Sequence, residues 1–129
     1  MLSKKENLYW EKLALLIKEG GVAVMPTDTI YGICGSALNK KAVEKIYKLR
    51  KRSPLKQMII LISDFNNLNI FGIRINKKEE DILKKIWPGK VSVILKIKDN
   101  EKIKKFKYLH KGTKTLSFRL PRNKFLAGV

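Results

Sequence analysis

The chain has 129 residues, of which 44% are hydrophobic, so it can form one hydrophobic core but is too short for two ordinary domains. It has neither the unbroken run of about 18 apolar residues that a membrane span requires nor the apolar segment of a secretory signal near its start. We therefore expect a single domain in the cytoplasm, with no membrane partner.

The formal net charge of +18 indicates a polyanionic partner such as a nucleic acid or a nucleotide, because Lys and Arg attract phosphates. Lysines supply 24 of the positive charges, however, and a solvated lysine surface without any partner explains the bulk of the charge equally well. The arginines are more informative, since a planar guanidinium can bind phosphate or carboxylate through two hydrogen bonds. They are Arg50, Arg52, Arg74, Arg119 and Arg122.

The first predicted elements are a helix, a strand and a polar turn. Leucines and an isoleucine recur at helical spacing within residues 5–18, and the glycine pair at 20–21 ends this helix. The apolar residues 21–25 predict a buried strand. The polar turn at 26–32 follows the carboxyl end of that strand, where open α/β sheets bind ligands.

A second helix and a second strand follow. Asn39 predicts the N-cap of a helix over residues 40–51, with Leu49 in its apolar stripe and Pro54 just beyond its end. The continuous apolar run at 57–62 predicts a central strand that is buried on both faces.

The remaining residues continue the alternation. Asn76 predicts the cap of a helix over residues 77–86, in which Ile82, Leu83 and Ile86 face inward. The sequence Trp-Pro-Gly after it predicts a turn with an architectural role. Residues 64–74 show no clear pattern.

The last third of the chain predicts two strands joined by a loop. Residues 91–97 and 115–121 have the composition and alternation of strands, and the lysine-rich residues 98–111 predict a solvated loop. Strands separated by helices predict an α/β layered fold.

The single cysteine, Cys34, cannot form an intramolecular disulfide, which agrees with a reducing compartment. With His110 as the only histidine, no Cys-His nucleophile pair is evident. We interpret Cys34 as a small buried residue.

Four segments, taken in order, resemble the motifs of a known family. They are Pro-Thr-Asp-Thr-Ile-Tyr-Gly at 26–32, Lys-Leu-Arg-Lys-Arg at 48–52, Trp-Pro-Gly at 87–89 and Thr-Leu-Ser-Phe-Arg-Leu-Pro at 115–121. Over about residues 8–125 the chain resembles the YrdC-like family of L-threonylcarbamoyladenylate synthases. The resemblance implies a twisted, mostly mixed β-sheet with flanking helices, which is the α/β fold of the YrdC/RibB type.

The resemblance also implies an enzyme, a nucleotidyltransferase that joins L-threonine, bicarbonate or CO2, and ATP into L-threonylcarbamoyladenylate and pyrophosphate. The product feeds the threonylcarbamoyladenosine modification of tRNA, so partner proteins of the threonylcarbamoyl-transfer step are implied as well. Mg²⁺ is expected with ATP because it neutralises the triphosphate. No residue is assigned as a metal ligand or as a catalytic residue, and no tightly bound cofactor is expected.

Carried over residue by residue, the resemblance assigns Thr29 and Arg119 to L-threonine, with Tyr31 lining that pocket. A guanidinium suits the carboxylate of threonine, because a charge-assisted bidentate pair fixes orientation as well as affinity. The positions that the resemblance assigns to ATP are Arg50, Arg52, Lys56 and Thr115.

One of these assignments, and the two polar residues before Thr29, carry a qualification from the residues themselves. The family usually has lysine where this chain has Arg50, so the charge is kept while the geometry of the contact differs. The polar residues Thr27 and Asp28 have a second interpretation, in which they satisfy backbone groups of the turn.

Family members continue past the strand at 115–121 into a helix and a further strand with a Ser-x-Asn motif, which this sequence does not contain. We therefore expect residues 1–129 to form a C-terminally truncated domain with an incomplete ATP site. An alternative function stays open: a module of the same fold that binds double-stranded RNA or tRNA through a basic face, without full catalytic activity.

Overall fold

The computed structural model describes residues 3–51, 53 and 56–122. These residues divide into two compact units, an N-terminal unit up to Ser53 and a C-terminal unit that ends at Arg122. The N-terminal unit contains α1 (Lys4–Lys18), β1 (Ala23–Pro26), β2 (Tyr31–Cys34) and α2 (Lys40–Leu49).

The first helix matches its prediction closely. Its N-cap is Ser3, whose hydroxyl oxygen accepts a hydrogen bond from the Glu6 backbone N–H at 3.1 Å. At its end, Gly20 adopts a φ of +94° and donates its N–H to the carbonyl of Ile17 at 3.0 Å. A positive φ favours glycine, which is why the Gly-Gly pair ends the helix here.

Strands β1 and β2 form an antiparallel hairpin, in which Ala23 lies opposite Cys34 and Pro26 lies opposite Tyr31. The sequence predicted a strand and a turn but missed the second strand. The predicted burial of the first strand is also wrong on one face, because Met25 is buried whereas Val24 is 65% exposed. Side chains alternate along a strand, and only one face of this hairpin belongs to the described core.

The core of the hairpin is formed with α1. Leu13, Ile17 and Met25 are its buried members, and Trp10, Ala23 and Cys34 pack against them. Each of these strand residues lies on the same face of the hairpin, as the register requires.

Helix α2 begins at the predicted cap, where the Asn39 side-chain oxygen accepts the Ala42 N–H at 2.9 Å. It ends at Leu49, earlier than predicted, and Lys51 then adopts a left-handed φ of 50°. Leu49 is exposed, so its predicted place in the apolar stripe is wrong. Pro54 lies outside the described residues. The buried stripe consists of Ala42, Val43, Ile46 and Tyr47.

The C-terminal unit has more elements, most of them short. In chain order they are β3 (Ile59–Leu61), α3 (Asn67–Ile70), α4 (Lys77–Ile86), β4 (Val93–Lys96), α5 (Asn100–Lys105), α6 (Lys107–His110) and β5 (Thr115–Arg119).

The three strands of this unit form a mixed sheet in the order β3-β5-β4. Strand β5 lies in the middle, parallel to β3 and antiparallel to β4, which confirms the predicted mixed α/β architecture. The prediction of a central strand at 57–62 is wrong for the described sheet, where β3 is an edge strand. Its continuous apolar run reflects two different surroundings: Ile60 is buried, whereas Ile59 on the opposite face is exposed.

Helix α4 has the predicted bounds and a reciprocal cap. The Asn76 side chain accepts the Glu79 N–H at 2.8 Å, and the Glu79 carboxylate accepts the Asn76 N–H at 3.1 Å. Leu83 is buried as predicted, but Ile82 is exposed, so its predicted inward orientation is wrong. After the helix, Trp87 is buried and donates its indole N–H to the Val91 carbonyl at 2.7 Å, as an architectural residue would.

The lysine-rich segment is helical, so the predicted loop is wrong. Helix α5 is capped by Asp99, and buried Phe106 follows it, with Leu109 and His110 in α6. Leu109 and His110 follow Phe106 by three and four residues, with lysines on both sides and between them. The three side chains therefore lie on one narrow helical face, which points into the core. The Phe106 ring lies 5.0 Å from that of Phe71, which is in turn 5.5 Å from that of Phe118 in β5.

None of the helices in the described ranges is long and apolar enough to cross a membrane.

Because one face of the three-stranded sheet is buried and the other is exposed, substitutions on the two faces should lower the free energy of unfolding by different amounts. Leu116 in β5 is 2% exposed, and Ile94 on β4 is 70% exposed on the other face. We expect Leu116→Ala to lower the free energy of unfolding by about 2–5 kcal/mol, since it leaves a cavity. Ile94→Ala should cost less than about 1 kcal/mol. Urea denaturation measures both values, and equal losses would contradict the assignment of faces.

Candidate functional site

The predicted polar turn is the loop of the β1–β2 hairpin, and Thr27 organises it. The Thr27 backbone N–H donates to the Ile30 carbonyl at 3.0 Å, and the Thr27 hydroxyl donates to the same carbonyl. The Thr29 N–H donates to the Thr27 hydroxyl oxygen at 3.3 Å. Thr27 therefore satisfies backbone groups of the turn, as the second interpretation of this residue proposed.

Other residues at the end of the loop are exposed, whereas Asp28 is half-buried. Thr29 is exposed, with its hydroxyl oxygen 3.3 Å from that of Thr27, and Tyr31 is 71% exposed at the start of β2. Two of the residues predicted to bind threonine thus share one small loop whose backbone is held by Thr27. A ligand can reach the Thr29 hydroxyl and the Tyr31 ring without any change in the loop.

The second group of predicted residues lies on the central strand of the C-terminal unit. Thr115, Ser117 and Arg119 are half-buried and share one face of β5, which we call the polar strip. Leu116 and Phe118 point to the opposite, buried face. Thr115 is the first residue of the strand and Arg119 is the last.

Apolar side chains flank the polar strip on both sides. Ile59 of β3 and Ile94 of β4 both lie opposite Ser117 in the register, and both are exposed. An open face with hydroxyl and guanidinium groups between apolar neighbours is suited to a small ligand that has both polar and apolar parts.

The length of the polar strip limits what it can bind. Thr115 and Arg119 are four positions apart, which is about 13 Å along a strand. The strip is therefore long enough for an elongated ligand to contact the Thr115 hydroxyl at one end and the Arg119 guanidinium at the other. The Arg119 end is further shaped by Ser92, whose hydroxyl accepts a hydrogen bond from Nη1 of Arg119 at 3.4 Å.

The predicted cations are placed as follows. Arg50 is the C-cap residue of α2, and Lys56 precedes β3; both are exposed. Arg52 lies outside the described residues, so its assignment to ATP stays a prediction. Thr29, Tyr31 and Arg50 thus belong to the N-terminal unit, and Lys56, Thr115 and Arg119 belong to the C-terminal unit.

The Arg50 guanidinium acts electrostatically on the thiol of Cys34. Burial raises the pKa of the Cys34 thiol, and the Arg50 guanidinium lowers that pKa by a smaller amount. The thiol donates to the Gly32 carbonyl at 3.6 Å and packs against the core of the hairpin. A raised pKa keeps the sulfur protonated and poorly nucleophilic, so Cys34 is half-buried packing, close to the interpretation from sequence.

Sequence analysis missed three polar residues that contact the predicted ones directly or through one further side chain. Ser92 bonds to Arg119, and Gln57 and Thr113 form a network at the start of β5. Gln57 and Thr113 are 56 residues apart, so no local pattern could reveal their contact. In the described ranges, no group of three or more His, Cys, Asp or Glu side chains could hold a metal ion.

The fold and these side chains define an α/β protein with a hydroxyl and guanidinium strip on an open sheet face. The chain belongs to the Sua5/YciO/YrdC family: the model of this family, described as "Telomere recombination", matches residues 15–128. This match confirms the resemblance drawn from the four motifs.

Individual relatives agree with the family assignment. The threonylcarbamoyl-AMP synthase of Bacillus subtilis is 31% identical over 108 residues, which are 84% of this chain and 30% of that protein. The threonylcarbamoyl-AMP synthase of Pyrococcus abyssi is 33% identical over 79 residues, 61% of this chain and 23% of that protein. The chain thus spans less than a third of the length of these two relatives.

The fold is similar to that of a solved structure from the same archaeon. The crystal structure of P. abyssi Sua5 complexed with L-threonine matches with a TM-score of 0.79 and 25% identity. The match covers 94% of this chain and 34% of the P. abyssi chain. This similarity confirms the predicted YrdC-like fold.

The electrostatic pairing of Arg50 with Cys34 can be tested by thiol chemistry. Arg50→Gln removes the charge that stabilises the thiolate, so the pKa of Cys34 should rise further. We expect modification by a thiol reagent at pH 8 and low salt to slow by about two- to threefold. Lys51→Gln is the control, because it removes the adjacent cation. An equal slowing by both variants would contradict the specific pairing.

Proposed function

We propose that this protein is an L-threonylcarbamoyladenylate synthase, which forms L-threonylcarbamoyladenylate and pyrophosphate from L-threonine, bicarbonate or CO2, and ATP. The observation that carries the proposal is the family membership together with the retention of Thr29 and Arg119 at the positions that the family motifs assign to threonine. Two further facts support it. The relatives named above are threonylcarbamoyl-AMP synthases, and the matching P. abyssi structure contains L-threonine.

The proposed reaction has two bond-forming steps. The threonine amine attacks the carbon of CO2, or of bicarbonate with loss of water, and gives a carbamate. A carbamate oxygen then attacks the α-phosphorus of ATP, and the bond to the departing pyrophosphate breaks. Such a reaction depends mainly on positioning of the reactants and on neutralisation of the phosphate charge.

In this proposal, the Arg119 guanidinium binds the threonine carboxylate. A guanidinium offers two parallel N–H donors to a carboxylate, and the bond from Nη1 to the Ser92 hydroxyl restricts its rotation. Thr29 supplies a hydroxyl to the substrate from the hairpin loop, and Tyr31 lines the amino-acid pocket.

The same proposal assigns the nucleotide to Arg50, Arg52, Lys56 and Thr115. The three cations neutralise the triphosphate, and the hydroxyl of Thr115 gives one directional hydrogen bond. Mg²⁺ enters as part of the substrate MgATP. Where the family usually has lysine, Arg50 has a planar guanidinium. Its N–H groups can donate to two phosphate oxygens at once.

The synthase explains more of the chain than the RNA-binding alternative does. A surface that only binds the RNA backbone needs cations, which the lysines supply. It does not need a guanidinium fixed beside a serine hydroxyl at the end of a strand, as Arg119 is. The use of the product in tRNA modification, with transfer by partner proteins in the cytoplasm, belongs to the same proposal.

The reaction itself is tested by pyrophosphate release. With MgATP and bicarbonate present, we expect addition of L-threonine to raise pyrophosphate release at least about tenfold, because the carbamate of threonine is the nucleophile. Glycine, which lacks the side-chain hydroxyl and methyl, serves as the control amino acid. Identical ATP consumption with and without threonine would rule out the synthase.

The role of Arg119 is tested by comparing its two substrates. Arg119→Ala should lower kcat/KM for threonine by about 10- to 100-fold, since charge-assisted hydrogen bonds are lost. The dissociation constant for ATP should change less than about threefold. Arg74→Ala, an exposed arginine of the same unit, is the matched control. A greater loss of ATP affinity than of threonine use would refute the assignment.

A further inference from the structure

The residues just before β5 form a hydrogen-bond network centred on the Thr113 hydroxyl. Nε2 of Gln57 donates to this oxygen at 2.6 Å, and the Thr115 backbone N–H donates to it at 3.2 Å. The hydroxyl in turn lies 2.8 Å from the His110 carbonyl, to which it donates its proton. Gln57 also donates to that carbonyl at 3.0 Å.

The Thr113 hydroxyl also contacts the Thr115 hydroxyl. A hydroxyl has one proton to donate and two lone pairs to accept with. The Thr113 proton faces the His110 carbonyl at 2.8 Å, and the Thr115 carbonyl at 3.2 Å is a second acceptor within its reach. The Thr115 hydroxyl oxygen lies 3.0 Å from that of Thr113, nearer than the Thr115 nitrogen at 3.2 Å, so the two hydroxyls are hydrogen-bonded. Thr113 therefore holds the Thr115 hydroxyl in place at the start of β5.

Buried His110 fixes the loop that carries Thr113. Nε2 of the ring faces the Ile103 carbonyl at 2.6 Å, and a carbonyl only accepts, so Nε2 carries the proton. Nδ1 then accepts the N–H of Gly112 at 2.9 Å. Through these two hydrogen bonds, the His110 ring connects the loop at Gly112 to Ile103 in α5.

We propose that Gln57 and Thr113 are positioning residues, which hold the Thr115 hydroxyl in the place where it contacts the bound nucleotide. Gln57 directly follows Lys56, so the same side chain also ties the segment with this cation to the start of β5. The inference rests on the proposed function, because that function assigns Thr115 and Lys56 to ATP. It adds two residues that the family motifs of the sequence do not contain.

The test removes the Thr113 hydroxyl without changing the side-chain volume. In Thr113→Val, the Thr115 hydroxyl loses its hydrogen bond to the Thr113 hydroxyl and is no longer held in one position. We expect the dissociation constant for MgATP, measured by calorimetry, to rise about tenfold. Thr113→Ser keeps the hydroxyl and should stay within about twofold of the unmodified protein.

Gln57→Leu tests the other partner and should weaken ATP binding in the same direction. Because both side chains act through one network, the double variant should be no more than about twofold weaker than either single variant. In turnover, the KM for ATP should rise while kcat at saturating ATP and the KM for threonine are kept. A change that merely destabilised the unit would lower the melting temperature without this division between the kinetic constants.

The outcomes separate this inference from the proposed function. ATP binding as tight in both single variants as in the unmodified protein overturns the inference, and so does a Thr113→Ser variant as weak as Thr113→Val. ATP binding without threonine-dependent pyrophosphate release refutes the synthase, while weakened binding in the variants still supports the positioning role. Absence of any ATP binding by the unmodified protein overturns both.

Discussion

The central strand β5 imposes the constraint on which the C-terminal unit depends. Hydrogen bonds to β3 on one side and β4 on the other leave it no freedom to slide. Because side chains alternate along a strand, a slip by one residue would exchange the buried pair Leu116 and Phe118 with the polar strip. The burial of two apolar side chains thus fixes where a hydroxyl and a guanidinium emerge on the open face. The same register therefore sets the stability of the unit and the position of the proposed binding groups.

Local signals in the sequence predicted α2 and α4 well, where an asparagine cap precedes a clear apolar stripe. Asn39 and Asn76 bind the backbone N–H groups that a helix leaves unpaired, and the predicted starts are correct. Predictions of burial failed where an apolar residue lies on an open face, as for Val24, Ile59 and Ile82. Hydrophobicity alone does not tell which face of a strand or helix another element will cover. The lysine-rich helices were missed because a few buried residues such as Phe106 are hidden among charges.

The same distinction holds for the candidate site. Short motifs in the sequence identify some of its residues, whereas others are brought to the site only by the fold. Thr29, Thr115 and Arg119 belong to short segments that can be recognised in order along the chain. Their supporting partners, such as Ser92 and Gln57, come from positions 27 and 56 residues away from the groups that they bond. Such contacts exist only once the strands have paired, so no local pattern predicts them.

The spacing of the polar strip has a consequence for release of the product. Each proposed substrate occupies one end of a strip about 13 Å long, but the product contains both ends in a single molecule. Binding through two linked ends makes the second contact intramolecular, which offsets the contacts that are lost with the departing pyrophosphate. Under the proposed function, release of the product can therefore limit turnover. The labile product, an acyl-adenylate, then stays bound to the protein for longer before it is transferred to an acceptor.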